Sequence, residues 1–239
     1  MTIPLDVLGP YALVILAGLF VHACFQLGLS MLTIINSHAI GHGSRHGTIL
    51  KLSISYIAGA LIATIGLLVL TTYFFRSVLP LDTNPVAWII VCSLVICVGW
   101  LVLLFYYRKV KGTQLWLSRR FVESLTTRAK HTTTVIGSLV FGLMMVVVEL
   151  PFLIAPLALA GAVLGTLPSI ERTIGVLAYA VAANIPLIIV TVLLGGGHKI
   201  STIQRWRETN KQFLQWTSGM TLILLGIYLF AINIWGQAA

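Results

Sequence analysis

Long apolar stretches alternate with short polar ones along this chain, and nearly all of the charges fall between the apolar stretches. No charged residue occurs between Asp6 and Arg45, and residues 11–36 form the apolar part of that interval. Lys51 and Arg76 enclose a second window, 52–75, and further windows cover 86–107, about 134–160, 173–195 and 213–235. A helix crossing the hydrocarbon core, roughly 30 Å thick, needs about 20 apolar residues. Every window is long enough, and only the fourth holds a charge, Glu149. The pattern predicts an all-α, polytopic transmembrane protein of six helices with no separate soluble domain.

Composition and charge sharpen that picture. Of the 239 residues, 58% are hydrophobic and 9% charged, against about 25% charged in an ordinary soluble domain. Mean hydropathy is +1.00. A soluble globular protein and a disordered one are excluded. The net charge of +9 is explained by topology and not by a nucleic-acid footprint. Thirteen of the 15 Lys and Arg lie in the loops after windows one, three and five, whereas only Arg76 and Arg172 lie on the other side. Basic loops stay in the cytoplasm. Both termini are therefore expected outside a prokaryotic-type inner membrane, with anionic lipid headgroups as partners of the cytoplasmic loops. The N-terminal MTIPLDVLGP has no positive n-region, so the first span is expected to be retained.

Trp88, Trp216, Trp235, Tyr106 and Tyr107 fall near window ends, as interface anchors do. In 114–127, Leu117, Phe121 and Leu125 recur every four residues among Arg119, Arg120 and Arg128. That spacing suits a short helix in the cytoplasmic headgroup layer, or else a solvated basic linker. Ile200, Ile203 and Trp206 hint at a second such helix.

Six helices invite a search for two halves. A shift of 123 residues places Gln26-Leu27 on Glu149-Leu150, Tyr56 on Tyr179, Ala60 on Ala183, Ile62 on Ile185 and Ile65 on Ile188; a four-residue insertion then brings Gly99 onto Gly226. Three helices per half give the halves opposite orientation. The chain then divides into repeat one (11–107), a basic cytoplasmic connector (108–133) and repeat two (134–235). Inverted repeats are common in secondary transporters, whose substrate sites lie at midplane between the halves.

Polar groups inside hydrocarbon are costly and each needs a reason. Glu149 lies mid-window, followed by Pro151 and Pro156; Asn184 lies mid-window in the fifth, followed by Pro186. Each proline removes a backbone donor and loosens the helix ladder. His22, Gln26 and Ser30, spaced i, i+4, i+8, would line one helical face. Glu149 can carry a proton or hold a cation. Gln26 and Asn184 can equally serve only to hydrogen-bond and fix helix packing, and Tyr56 and Tyr179 are commonly packing residues.

His38, His42 and His46 are a possible metal set, but Gly41, Gly43 and Gly47 interleave with them, and a glycine-rich turn with surface histidines is the default. No cofactor is expected. The cysteines Cys24, Cys92 and Cys97 form no CxxC, and no nucleophile–base or phosphate-loop arrangement points to an enzyme.

A three-plus-three chain with both termini outside resembles the lysine-exporter superfamily in the broad sense, which includes small-solute and metal exporters and the CcdA/DsbD-type electron carriers. The residues that carry the resemblance are Gly28-Leu29-Ser30-Met31 and Glu149-Leu150-Pro151-Phe152-Leu153; the latter is similar to the Glu-Leu-Pro-Cys element of some CcdA-like proteins. The electron carriers need one reactive cysteine per half. Here Leu29 and Phe152 stand at those places, and thiol exchange requires two sulfurs. The manganese-exporter branch places an acidic residue where this chain has Leu32, and His38 to Gly43 matches the histidine-glycine element of nickel and cobalt exporters only in part. Taken together these readings predict a transporter of a small solute or ion, working by alternating access between inverted repeats around the Gln26–Glu149–Asn184 region, with Glu149 carrying a proton or holding a substrate cation. The alternatives are a membrane protein of cytochrome c biogenesis or thiol electron transfer, and a non-transporting subunit of a larger membrane complex. A homo-oligomer is compatible with each.

Overall fold

The structure, a computed structural model, describes residues 5–25, 27–41, 45–80, 85–106, 119–196 and 200–235. Among these the regular structure is entirely helical. Helices α1 (Leu5–Cys24) and α2 (Leu27–Gly41) are followed by α3 (His46–Tyr73), which continues through a wider π-helical turn at Phe74–Val78. Then come α4 (Pro85–Phe105), α5 (Arg119–His131), α6 (Val135–Val148), α7 (Leu150–Thr166), α8 (Ser169–Ala183), α9 (Ile185–Gly195) and α10 (Ile200–Phe230), which ends in a second π-helical turn, Ala231–Trp235.

Three helices are each long and apolar enough to cross a membrane: His46–Val78, Val86–Phe105 and Glu208–Ile234. Three more candidates are bent pairs: α1 with α2 at 41°, α6 with α7 at 80°, and α8 with α9 at 43°. The number of crossings is thus three, or up to six if each bent pair is one span. Helices of this length and composition are those of an integral membrane protein.

Two of the bends share one local cause. Glu149-Leu150-Pro151 and Asn184-Ile185-Pro186 each place a polar residue two positions before a proline. A proline inside a helix has no N–H to donate, and its ring clashes with the carbonyl four residues back. The preceding helix therefore ends, and the proline starts the next one, where a missing N–H costs nothing. Glu149 (φ −85°, ψ −3°) and Asn184 (φ −94°, ψ 3°) both sit in the narrow bridge region between helical and extended backbone. Their carbonyls accept the first amides of the following helix, Phe152 and Leu153 for Glu149, Leu187 and Ile188 for Asn184. Pro156 behaves differently: α7 runs through it without a break. The helix breaks thus fall beside Pro151 and Pro186, whereas Pro156 lies inside an unbroken α7.

Small residues set the tightest contacts. Ser55 and Gly59 on α3 meet Ser138 and Gly142 on α6. Ser55 Oγ donates to the Val135 carbonyl at 2.6 Å and Ser138 Oγ donates to the Leu52 carbonyl at 2.7 Å. A side chain at Gly142 would overlap the Tyr56 carbonyl, and one at Gly59 the Leu139 carbonyl. Serine–serine–glycine–glycine contacts of this kind let helix backbones approach closely where lipid offers no hydrophobic drive. The pairs 55/135 and 52/138 are close in space, and Gly59 and Gly142 extend the same seam. On the opposite side α4 packs on α10, where Gly99, Gly219 and Gly226 admit the partner backbone. There Gln215 reaches the carbonyls of Val102 and Leu103 while Gly226 meets Cys92 and Ile96, so these helices are antiparallel. Helix α7 lies in the interior; from Phe152 to Leu164 every residue except Ile154 is buried.

The amphipathic stretch is helical from 119 to 131, with Leu125 and Ala129 buried and Phe121 exposed; it packs against α2. Leu117 lies outside the described residues. The second interfacial helix is not separate. Ile200 and Trp206 belong to the same continuous α10 as the sixth apolar window, because nothing between Ile200 and Phe230 interrupts the ladder. Trp216 is exposed as an anchor would be, whereas Trp88 and Tyr106 are buried; Tyr107 lies outside the described residues.

Candidate functional site

The three bends converge. Glu149 at the α6–α7 break and Asn184 at the α8–α9 break line one cavity with His22 and Phe25 at the end of α1, Gly28 and Leu29 at the start of α2, and Tyr56 on α3. Its volume is about 40 Å³, room for about two or three waters.

Glu149 is buried. Its Oε1 accepts the backbone N–H of Leu27 at 3.1 Å and the phenol of Tyr106 at 2.5 Å. Leu27 opens α2, so the carboxyl caps a helix from across 122 positions of chain. The first amides of a helix lack internal acceptors and carry partial positive charge, which favours a carboxyl there. That cap supplies a tertiary reason for the α1–α2 break, where no proline is present. Tyr106 brings in the end of α4 as well. Its ring packs on Phe25 and Phe152 with centroids 5.0 Å from each, which walls one side of Glu149 with aromatic surface.

Asn184 Nδ2 donates to the Ala180 carbonyl at 2.8 Å and approaches Thr64 Oγ1 at 3.5 Å, tying the α8–α9 break to α3. Tyr56 donates to the Gly28 carbonyl at 2.8 Å. Tyr179 reaches the Pro156 carbonyl at 3.4 Å and meets the His22 ring edge-on at 5.8 Å. His22 is buried, and its Nδ1 has no hydrogen-bond partner among the described residues.

Of the residues expected from sequence, the structure thus brings together Glu149, Asn184, His22, Tyr56 and Pro186 around the cavity, with Tyr179 immediately behind His22. Gln26 lies outside the described residues. Ser30 does not line the cavity; it is on α2 and His22 on α1, and the bend between them destroys the i, i+4, i+8 register. Pro151 is exposed, and Pro156 lends its carbonyl to Tyr179. His38 lies in the last turn of α2 and His46 opens α3, with His42 outside the described residues; no group of three candidate metal ligands occurs among the described residues. Tyr106 is the site residue that the sequence pattern misplaces, because a tyrosine at a window end ordinarily signals an interface.

No protein-family model, no curated protein and no solved structure matches this chain.

Proposed function

We propose that this integral membrane protein is a transporter of a small solute or ion, with six spans in two inverted halves that rock around the Glu149 cavity. One observation carries the reading: three helix breaks meet at a largely apolar cavity that contains the carboxyl of Glu149, the one charge within the six apolar windows. Broken helices beside a midplane site are the recurrent architecture of secondary transporters. The antiparallel packing of α4 and α10 supports alternate crossing, since spans three and six must run in opposite directions. The breaks near 25 and at 149 support the repeat, being one 123-residue shift apart. Tyr56 and Tyr179, equivalent under that shift, each donate to the second helix of the preceding bent pair. The uninterrupted α3 departs from the broken α8–α9 pair, so the halves are not identical. The likeness of Glu149-Leu150-Pro151 to the lysine-exporter superfamily belongs to the same proposal.

The mechanism follows from the hydrogen bonds. The carboxylate holds α2, the end of α4 and the α6–α7 break together through one oxygen. Protonation removes its charge and weakens both charge-assisted bonds, which loosens the join between elements from opposite halves. At about 40 Å³ the cavity must widen before anything larger than a few waters can pass.

The test is flux in proteoliposomes across amino acids, small cations and metal ions, with and without a pH gradient. Wild-type protein should move at least one class, and Glu149→Gln should bind it but fail to accumulate it against a gradient. The same small cavity favours one competitor, a non-transporting membrane subunit in which Glu149 only caps α2. Absence of flux for every class tested, or proton-driven accumulation unchanged in Glu149→Gln, would favour that competitor.

A further inference from the structure

A second cavity, of about 500 Å³, opens between the end of α3 and the start of α8, at the other end of α3 from the basic loop that precedes it. It is lined by Arg76 and Arg172, the only two basic residues on that side of the chain's charge pattern. Two guanidiniums facing one cleft repel each other unless an anion lies between them. Neither has an ion-pair partner among the described residues. Glu171, next in sequence to Arg172, is exposed and does not line the cleft. Thr72 also lines the cleft. Thr72 is 5% exposed and its Oγ1 has no hydrogen-bond partner among the described residues. A buried hydroxyl without a partner costs free energy, and this one stands one helical turn from Arg76 on the same face.

Below these polar groups the cleft is apolar. Ile65, Val69, Val176 and Leu177 continue along α3 and α8 toward the middle of the membrane, with Val69 and Leu177 about half exposed. Positive charge at the headgroup level above an exposed apolar track has the layout of a phospholipid. We propose that this cleft is a specific site for an anionic phospholipid, whose phosphate lies between Arg76 and Arg172 and accepts from Thr72 Oγ1 while an acyl chain follows Val69 and Leu177. Arginine matches phosphate oxygens with paired N–H donors. The site is distinct from the general attraction of lipid to the cytoplasmic loops, because it lies at the opposite face and uses two residues. It does not depend on the transport reading.

The experiment uses the full chain purified in mild detergent, titrated with phosphatidylglycerol, phosphatidylcholine or inorganic phosphate, and read by native mass spectrometry and thermal unfolding. Phosphatidylglycerol should bind more tightly than phosphatidylcholine and raise the unfolding temperature. Arg76→Gln and Arg172→Gln should each weaken that binding about fivefold and the double variant about 25-fold. Both side chains are solvent- or headgroup-accessible, so these variants should fold. Thr72→Val keeps the shape of the buried side chain and should weaken binding without lowering the unfolding temperature of lipid-free protein. Equal phosphatidylglycerol binding by wild type and the double variant would overturn the proposal. An arginine-dependent rise in unfolding temperature with inorganic phosphate alone would overturn the lipid as occupant and make the cleft a site for a soluble anion.

Discussion

The phenol of Tyr106 donates to the carboxyl of Glu149 at 2.5 Å, and this bond ties the end of α4 to the break between α6 and α7. A buried hydrogen bond to a charged group contributes about 1.5–3 kcal/mol. Tyr106→Phe keeps the ring contacts with Phe25 and Phe152 and removes only the donor. The variant should therefore fold, with thermal stability lowered by an amount in that range and, under the transport proposal, a flux pH profile displaced from wild type. An unfolding temperature equal to that of wild type would show that the bond contributes nothing.

Glu149 itself separates a capping role from a chemical one. Glutamine retains a side-chain oxygen for the Leu27 amide; alanine removes the acceptor that the Leu27 amide and the Tyr106 phenol share. Glu149→Ala should thus be less stable than Glu149→Gln by about 1–3 kcal/mol, as read by thermal unfolding in detergent. Equal stability of the two variants would refute the cap on α2.

Much of this architecture is legible in the sequence, for physical reasons. The apolar windows follow from the cost of burying charge in lipid, so each finds a helix or a bent pair. Two of the bends are also legible, because Glu-Leu-Pro and Asn-Ile-Pro announce a missing donor beside a polar residue. The α1–α2 bend is not, since its cause lies in part 122 residues away in Glu149. Tyr106 is hidden for a related reason. A tyrosine at the end of an apolar run can face headgroups or the interior, and only the packing of Phe25 and Phe152 decides. The arginine cleft is present in the charge pattern as two stray arginines, but nothing in the spacing of 76 and 172 shows that they share a cavity.

The serine–glycine contact between α3 and α6 predicts a sharp contrast among glycines. Gly59→Ala and Gly142→Ala each drive a methyl group into a backbone carbonyl of the other helix. Overpacking of this kind costs about 1–3 kcal/mol, and more where backbone must separate. Gly66, on the same α3, has open space within 4 Å of the position a methyl group would take, and Gly66→Ala should be neutral or stabilising by up to about 1 kcal/mol. Thermal unfolding of the three purified variants checks the order. Similar values for Gly66→Ala and Gly142→Ala would contradict the close approach.

Thiol chemistry should be dispensable. Cys24 and Cys92 are buried free thiols and Cys97 is exposed. The places where a CcdA-like electron carrier would need sulfur hold Leu29, which lines the Glu149 cavity, and Phe152, which packs at a 6.1 Å centroid distance from Phe25. Under the transport proposal, the triple variant Cys24→Ala, Cys92→Ala, Cys97→Ala should keep the flux of the wild type while losing about 1 kcal/mol of stability for each buried thiol removed. Loss of activity in a normally folded triple variant would restore the redox alternative.

That cysteine-free protein is also the background in which orientation can be read. Thirteen basic residues against two predict that the loops after spans one, three and five face the cytoplasm. The helix directions sharpen the prediction. Helices α3 and α8 are antiparallel, because Arg76 and Arg172 line one cleft at one end while Thr64 meets Asn184 nearer the other. Residues 77 and 170 must then lie on one face of the membrane, and residues 128 and 205 on the opposite one. Ser77→Cys and Ile170→Cys, both at exposed positions, should react with an impermeant maleimide added to intact cells. Arg128→Cys and Arg205→Cys should react only after the membrane is opened. If Ser77→Cys labels from outside and Ile170→Cys does not, α8 and α9 form a re-entrant pair and not a span, and the six-crossing topology fails. If all four positions exchange sides together, the six crossings stand and only their orientation is reversed, which would place the arginine cleft in the cytoplasmic leaflet.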